Sequence, residues 1–308
     1  MPELPEVHTT VTGLQKVLPR LTIEDVWTDL AKKNQPISHF KNTLKDEVFY
    51  KKFKKEIIGQ KVVSVTRRAK NILIHLSDNN TILIHMKMTG HLLFGKYTYN
   101  KKTNSWSVNP DEKNDALRDP FNRFIHVVFS LSNGKHLVFC DSRKFGKVTL
   151  IDTTLAHETI HLKNLGPEPL EKIFTVETFT EQLLKRPSMK IKSALMDQSL
   201  ISGIGNIYSD ELLWLAQVRP NRQVSSISKK EFAKIHDAMK MVLEKGIDFG
   251  GDSTSDYRQP DGAKGNFHHN HNVYRKKNQK CGKRGCDGVI LHSVIGGRSA
   301  HYCSVHQK

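Results

Sequence analysis

The residues best equipped for chemistry lie at the two ends of the chain. It opens Met1-Pro2-Glu3-Leu4-Pro5. Removal of the initiator methionine would leave a secondary amine on the rigid ring of Pro2. An α-amino group titrates near neutrality, so a useful fraction of it is an uncharged nucleophile at pH 7. The carboxylate of Glu3 follows one residue later. An amine beside a carboxylic acid is a minimal kit for imine chemistry on a masked sugar aldehyde, the amine attacking and the acid moving protons. Many proteins begin Met-Pro without such chemistry, so the rest of the chain must decide.

At the other end, Cys281, Cys286, Cys303 and His306 form a C-x4-C-x16-C-x2-H pattern. Two close pairs separated by sixteen residues suit one tetrahedral Zn2+ on a β-hairpin, held by thiolates and an imidazole. So short a segment has too little core to fold alone, so coordination would supply its folding energy. Four protein ligands make such a site structural rather than catalytic. His292 and His301 lie close enough in sequence to compete for the fourth position, and three Cys with a water is a further arrangement. Cys140, far from this cluster, reads as an ordinary buried thiol.

Between these ends the composition favours a polyanionic partner. The chain has 308 residues, with 48 Lys+Arg against 31 Asp+Glu, a formal charge of +17 spread along its length. Nucleic acid fits that balance best. No apolar run approaches the ~18 residues that span a bilayer, and no lipidation motif is present. The N-terminus lacks a basic region followed by an apolar stretch, so secretion is not expected. Four Cys in a chain of this length do not form a disulfide scaffold. The length accommodates two domains and a sizeable core.

The elements that must position the end groups follow from periodicity. Val7, Val11, Leu14 and Leu18 trace a helix over residues 4–18, directly after Pro2 and Glu3. Short β-rich runs follow at 62–66, 72–76, 81–86, 125–129, 136–140 and 148–151, each bounded by turn residues. This spacing predicts an antiparallel sandwich rather than alternating β/α units. Residues 97–122, rich in Asn, Lys and Asp, read as a long surface loop. Pro/Gly punctuation at 165–170 marks a domain boundary. Helices are expected at 175–185, 189–197 and 207–216. Another follows the capping box Ser228/Glu231 and ends at Gly246. Residues 250–271 read as a loop long enough to be functional.

Several motifs together resemble the formamidopyrimidine-DNA glycosylase family, relatives of endonuclease VIII. They are Pro2-Glu3-Leu4-Pro5-Glu6-Val7, Arg67-Arg68-Ala69-Lys70, His85-Met86-Lys87-Met88-Thr89-Gly90 and Asp141-Ser142-Arg143-Lys144-Phe145-Gly146. The 165–170 segment, Ser202-Gly203-Ile204-Gly205-Asn206-Ile207-Tyr208 and the terminal Cys/His cluster continue the order. The resemblance implies an α+β multidomain chain. Residues 1–155 would form a catalytic antiparallel β-sandwich flanked by helices. Residues 156–271 would form a helix–two-turn–helix DNA-binding domain with a lesion-capping loop, and 272–308 a zinc-finger β-hairpin.

It also implies roles. Pro2 would attack C1′ of a damaged nucleotide, and Glu3, supported by Glu6, would protonate the opening sugar oxygen. Lys70 would contact the lesion and its phosphate and serve as an acid in elimination, and Arg298 would clasp phosphates flanking the extruded nucleotide. Because a base must leave the stack to be reached, Met88, Arg143 and Phe145 would fill the hole, with Met88 and Phe145 expected at loop tips. His85, Lys192, Asn206 and Tyr274 would add DNA contacts, with Asn206 at a helix N-terminus that favours phosphate. The implied partner is double-stranded DNA carrying oxidised bases or abasic sites, bound by a monomer. The implied setting is a bacterial cytoplasm or nucleoid, or another DNA-containing compartment.

The chain departs from the family pattern in three places. The first Cys pair is widened and the last ligand is His306 rather than Cys. A His-Asp-His run is replaced by Phe124-Ile125-His126, which removes a phosphate-binding His for which Arg123 is the available substitute. Residues 97–122 are longer than usual, either an idle insertion or an extra DNA contact. Leu4 and the run 250–258 resemble enzymes acting on oxidised purines, 8-oxoguanine and formamidopyrimidines, with oxidised pyrimidines as the alternative substrate. Two other classes compete: a non-catalytic nucleic-acid-binding zinc protein of the same fold, and a hydrolase or lyase of nucleosides.

Overall fold

The structure is a computed structural model and describes residues 1–32 and 42–308. The chain divides into two compact units, residues 1–163 with Phe249–Asn266, and Asn164–Asp248 with Phe267–Lys308. These differ from the divisions expected at 155 and 271. The loop 249–266 packs with the first unit although it follows the helices in sequence, and the Cys-rich tail belongs to the second.

The first unit runs α1 (Leu4–Gln15), β1 (Ile23–Thr28), α2 (Glu47–Ile57), β2 (Val62–Arg68), β3 (Asn71–Leu76), β4 (Asn80–His85) and β5 (His91–Gly95). It continues through β6 (Tyr97–Asn100), β7 (Ser105–Val108), β8 (Ile125–Leu131), β9 (His136–Cys140) and β10 (Lys147–Asp152). Two antiparallel four-stranded sheets form, in the orders β1-β8-β9-β5 and β10-β4-β3-β2. Their inner faces share one core. Val26, Leu92, Phe129 and Phe139 of one sheet meet Val65, Ile72, Ile74, Ile82 and Ile84 of the other, with Val7, Val11 and Leu14 of α1 alongside. Period two sends Ile72, Ile74 and Leu76 of β3 and Val127, Phe129 and Leu131 of β8 into this core, while Leu73 and Val128 are buried on the opposite faces.

Three elements escaped the sequence reading. Strand β1 carries two acids (IEDVWT), β5 follows directly on the turn 86–90, and α2 is strongly charged (EVFYKKFKKEI). Yet Asp46 caps α2, accepting from the amides of Val48 and Phe49 at 2.9 and 3.3 Å, while Phe49, Phe53 and Ile57 at i, i+4, i+8 form the buried stripe. The expected surface loop at 97–122 is instead a β6–β7 hairpin followed by two 3-10 turns, Asp115–Arg118 and Pro120–Arg123. Its Tyr97, Leu117, Trp106 and Val108 pack on Leu93, Val128, Val138 and Cys140. The outer face of the first sheet carries that second apolar stripe, and the segment 97–122 covers it. Cys140 is fully buried, which pushes its thiol pKa well above the usual value.

The second unit contains α3 (Val176–Leu184), α4 (Ile191–Met196), α5 (Asn206–Ala216), α6 (Lys229–Asp248) and the hairpin β11 (Ile290–Ile295) and β12 (Arg298–Cys303). Its core joins Phe179, Ile191, Leu195, Tyr208, Leu212, Ile235, Met239 and Phe267. The capping box forms as expected, with the Glu231 carboxylate accepting from the Ser228 amide at 2.8 Å and Ser228 Oγ from the Glu231 amide at 3.3 Å. Gly246 does not end α6, which runs on to Asp248 with Gly246 buried inside it. No described helix is long and apolar enough to cross a membrane.

Candidate active site and nucleic-acid interface

Pro2 is buried, and Glu3 and Glu6 are each 1% exposed at the start of α1. Glu3 is the N-cap. Its side chain accepts from the Glu6 amide while its own amide donates to Glu6 Oε2 at 2.7 Å, so the two carboxylates lock each other at the helix N-terminus. The other Glu6 oxygen accepts from the Asp252 amide at 2.7 Å. Tyr257 donates its hydroxyl to the Glu6 carbonyl at 3.0 Å, and burial raises the phenol pKa, keeping it a donor. Gly251, at φ +85°, lets the loop pass Glu6 so closely that a Cβ would lie 3.0 Å from Glu6 Cγ. The first turn of α1 and the loop 249–266 thus form one hydrogen-bonded assembly around two acids.

Lys70 sits in the two-residue turn between β2 and β3, buried to 6% exposure. The preceding Ala69 adopts φ +53°, a left-handed conformation costly for a residue with a Cβ. Arg67 Nη1 donates to the Ala69 carbonyl at 2.8 Å and helps hold it. In register, Asn71 and Lys147 both face His85 across β4, which gathers Lys70, Lys87 and Lys147 around the imidazole. Desolvation, then the charges of those three lysines, push the His85 pKa down to about 3. The ring is neutral at pH 7 and its Nδ1 accepts from the Lys87 amide at 3.0 Å. Burial and the Lys147 charge likewise lower the Lys87 pKa. This end of the sheet is a cationic patch whose mutual repulsion an anion would relieve.

Met88 lies in the turn 86–90, and Arg143 and Phe145 in the turn 141–146. One buried carboxylate ties the turns together. Asp141 Oδ1 accepts from Thr89 Oγ1 and, at 3.3 Å, from the Arg143 amide, while Oδ2 accepts from the Gly146 amide at 2.6 Å. Lys87 and Lys144 both adopt φ +55°, which folds each turn sharply. Gly90 and Gly146 press on the two sides of the Phe139 ring; a Cβ would come within 2.6 and 2.3 Å of it. Phe145 is 49% exposed and Arg143 lies over its ring at 4.6 Å, whereas Met88 is partly covered. An apolar tip and a guanidinium are therefore presented together on braced turns.

In the second unit, Asn206 is the first residue of α5, after the turn Ser202-Gly203-Ile204-Gly205, where Gly203 has φ +90°. Lys192, expected at a DNA phosphate, is instead wholly buried. Its Nζ lies 2.5 Å from Asp210 Oδ1 and 3.4 Å from the Asn206 carbonyl. It ties α4 to α5 and presents no charge to solvent. Asp210 Oδ2 accepts from the amide and Nδ1 of His301 at 3.0 and 3.1 Å, adding β12 to the same node. The neighbouring Glu211 accepts from the amides of Asn272, Val273 and Tyr274 at 2.7–2.9 Å, which holds Tyr274 in place, half-buried. Arg298 is exposed at the head of β12, directly after a Gly296-Gly297 turn in which both residues have positive φ. Gly296 abuts Ser193 of α4, where a Cβ would lie 2.6 Å from its hydroxyl oxygen.

Cys281, Cys286, Cys303 and His306 converge, their donor atoms all within 4.8 Å of one another. Cys286 Sγ lies 3.6 Å from Cys303 Sγ, and His306 Nδ1 lies 3.3 and 3.6 Å from the sulfurs of Cys281 and Cys286. A tetrahedral ion with sulfur and nitrogen ligands needs edges of about 3.5–3.8 Å, so the four donors can hold one metal ion. His306 Nε2 faces the Trp214 carbonyl at 3.3 Å, which places a proton there and leaves Nδ1 for a metal. Trp214 Nε1 and the amides of Gly288 and Val305 point at the three sulfurs, each at 3.4 Å. A Cβ at Gly288 would lie 2.5 Å from Cys303 Sγ. His301 is engaged by Asp210 and, like His292, is outside the cluster.

Sequence reasoning missed the acids that organise these sites, Asp141, Asp210 and Glu211, and the Asp252 amide that holds Glu6. A signal existed. Asp210-Glu211 interrupts an apolar helix (NIYSDELLWLA), and buried acids are conspicuous in a chain of charge +17. His126 pairs with Asp29 at 2.9 Å and is buried, and the Arg123 guanidinium lies 4.8 Å from the Phe124 ring.

Comparison with known proteins gives one family. Its N-terminal domain model, "Formamidopyrimidine-DNA glycosylase N-terminal domain", matches residues 1–148, and its H2TH domain model matches 165–258. The formamidopyrimidine-DNA glycosylase of Pelotomaculum thermopropionicum is 36% identical, over 100% of this chain and 99% of its own. That of Desulforamulus reducens is 34% identical over the same shares. Among solved structures, the Lactococcus lactis Fpg in complex with abasic-site DNA is 28% identical with a TM-score of 0.80, covering 99% of each chain. A mutant of that protein with Fapy-dG-containing DNA gives the same identity and TM-score over 100% of each.

Proposed function

The chain belongs to the formamidopyrimidine-DNA glycosylase family, and on that premise we propose that it is a bifunctional DNA glycosylase and abasic-site lyase of base excision repair, acting on oxidised purines. The observation that carries this reading is the buried Glu3–Glu6 pair locked at the N-terminus of α1, one residue from Pro2. With Met1 removed, the Pro2 amine attacks C1′, the C1′–base bond breaks, and the proton the amine sheds passes to the departing base. Glu3 donates a proton to the sugar ring oxygen, so the ring opens to an iminium at C1′. A secondary amine gives an iminium that cannot lose its charge by deprotonation at nitrogen, which acidifies the C2′ proton. Loss of that proton expels the 3′ phosphate, and a second elimination expels the 5′ phosphate. Water then releases the sugar fragment from Pro2. Lys70, with the neighbouring lysines, meets the phosphate beside the lesion and acts as an acid in elimination.

Met88, Arg143 and Phe145 fill the space left by the extruded nucleotide, the apolar tips stacking and the guanidinium facing the orphaned base. Asn206 at the start of α5, Arg298 and Tyr274 grip the backbone, while Lys192 fixes α4 against α5 beneath Asn206. The metal is one structural Zn2+ on Cys281, Cys286, Cys303 and His306, which tethers the far end of the strand that begins at Arg298. The place of work is the DNA-containing compartment.

Borohydride reduction of a reaction on an 8-oxoguanine duplex tests the reading. A covalent protein–DNA complex is expected from protein whose intact mass lacks Met1. Its absence would overturn the assignment. Glu3→Gln should bind the lesion duplex and release little base, and wild-type excision by it would remove Glu3 from the role of acid.

A further inference from the structure

The 3-10 turns of the segment 97–122 meet the loop Phe249–Asn266 through groups that no role above uses. Arg258 heads the fully buried side chains of the described residues in size. Its Nη2 donates to both oxygens of Asp119 at 3.0 Å, and its Nη1 to the carbonyls of Ser255 and Tyr257 at 2.8 Å each. The Phe121 ring lies 4.9 Å from the guanidinium. Asp119 is itself fixed as the cap of its turn, accepting from the Phe121 amide at 3.0 Å. The same surfaces meet again where Asn114 Nδ2 donates to the Asp261 carbonyl at 2.6 Å, and where a Cβ on Gly262 would lie 2.6 Å from the Ala116 carbonyl carbon.

A guanidinium is costly to bury, and an apolar contact would have anchored the loop with less desolvation. What the planar guanidinium adds is direction, with Nη2 on the Asp119 carboxylate and Nη1 on the two loop carbonyls. It fixes the Tyr257 carbonyl, and the Tyr257 hydroxyl in turn meets the Glu6 carbonyl at 3.0 Å. Asp252, on the same loop, holds Glu6 Oε1 at 2.7 Å, and Glu6 Oε2 holds the Glu3 amide at 2.7 Å. A continuous set of hydrogen bonds therefore runs from the segment 97–122 to the catalytic acid.

We propose that Asp119 and Arg258 are positioning residues for the reaction: the pair sets Tyr257 and the loop, these set Glu6, and Glu6 holds Glu3 where it reaches the sugar oxygen. The inference rests on the function proposed above. It makes the segment 97–122 part of the machinery for base removal rather than only a cover for the sheet.

The test uses a property that general weakening would not alter. Base removal from an intact nucleotide needs an acid on the ring oxygen. A preformed abasic site exists partly as the open aldehyde and forms the imine without that help. Single-turnover rates on an 8-oxoguanine duplex and on a preformed abasic duplex are measured side by side for full-length protein. The variants are Asp119→Asn, and Asp119→Leu combined with Arg258→Met, which leaves no lone buried charge and keeps the volume. The ratio of excision to abasic cleavage should fall about tenfold in both, as expected for a displaced catalytic group, and Asp119→Glu should recover part of it. An unchanged ratio in both variants, including equal loss of both activities, would overturn the proposal. Wild-type inactivity on both duplexes would overturn the function on which it rests, and the proposal with it.

Discussion

Lys192 is the sharpest case in which sequence and structure assign different jobs to one residue. A phosphate-contacting lysine is exposed, contributes little to stability, and sets about one unit of the salt dependence of binding. The structure gives Lys192 and Asp210 side chains with no exposure, 2.5 Å apart, and ties Asp210 also to His301. Lys192→Met keeps the stem volume and removes the charge. It leaves a buried carboxylate with only the His301 donors, a loss of about 3–5 kcal/mol by analogy with other broken buried pairs. A second change, Asp210→Asn, removes the orphaned charge and keeps an acceptor for the His301 amide, so the double variant should return to within about 1–2 kcal/mol of wild type. Urea titrations followed at the helical circular-dichroism band read this, because α6, the longest described helix at 20 residues, and most of the helical residues lie in the second unit. DNA affinity as a function of salt gives the independent measure. A stability loss below about 1 kcal/mol, with a log–log salt slope lowered by about 0.9, would return Lys192 to the phosphate-contacting role and refute the argument.

Other expectations are checked more briefly. Gly146→Ala drives a Cβ into the Phe139 ring and should cost about 1–3 kcal/mol by thermal denaturation, with Phe139→Leu restoring part of it. A fully additive double variant would show that the clash is not the cause. Chelation of the metal, or Cys303→Ser, should destabilise the second unit and weaken DNA binding while the sandwich stays folded; elemental analysis should find one zinc per chain. His85 has a folded-state pKa below its unfolded value near 6.5. The folded protein therefore binds fewer protons, and stability is lost as pH falls through 6.5 toward about 3. His85→Asn should lose less stability than wild type between pH 7 and pH 5 in urea titrations, and an equal loss would show that His85 is not buried neutral.

Short apolar runs rich in Val, Ile, Leu and Phe and bounded by turn residues made β2, β3, β4, β8, β9 and β10 legible, and most of them are buried on both faces. The capping box announced α6, and the Cys/His spacing announced a metal cluster. Strand β1 and helix α2 were not legible, since a strand carrying two acids and a charged helix depend on partners distant in sequence. The segment 97–122 was misread for the same reason. Its polar composition says surface, yet Tyr97, Trp106 and Leu117 are drawn onto an apolar sheet face that no local pattern reveals.

The sequence by itself determined the chemistry on offer: a proline whose amine Met1 removal would free beside an acid, a cationic chain, a set of candidate metal ligands, and turns that carry Met88, Arg143 and Phe145. These follow from residue type and local spacing. Only the tertiary structure decided which charges are available. It buried Lys192 against Asp210, engaged His126 with Asp29, and set Asp141, Asp210 and Glu211 as acids around which sites are built, with the Asp252 amide on Glu6. It also joined Asp119 to Arg258 across 139 positions. Burial and charge pairing arise from contacts between distant segments, and a buried lysine and an exposed one are spelled alike.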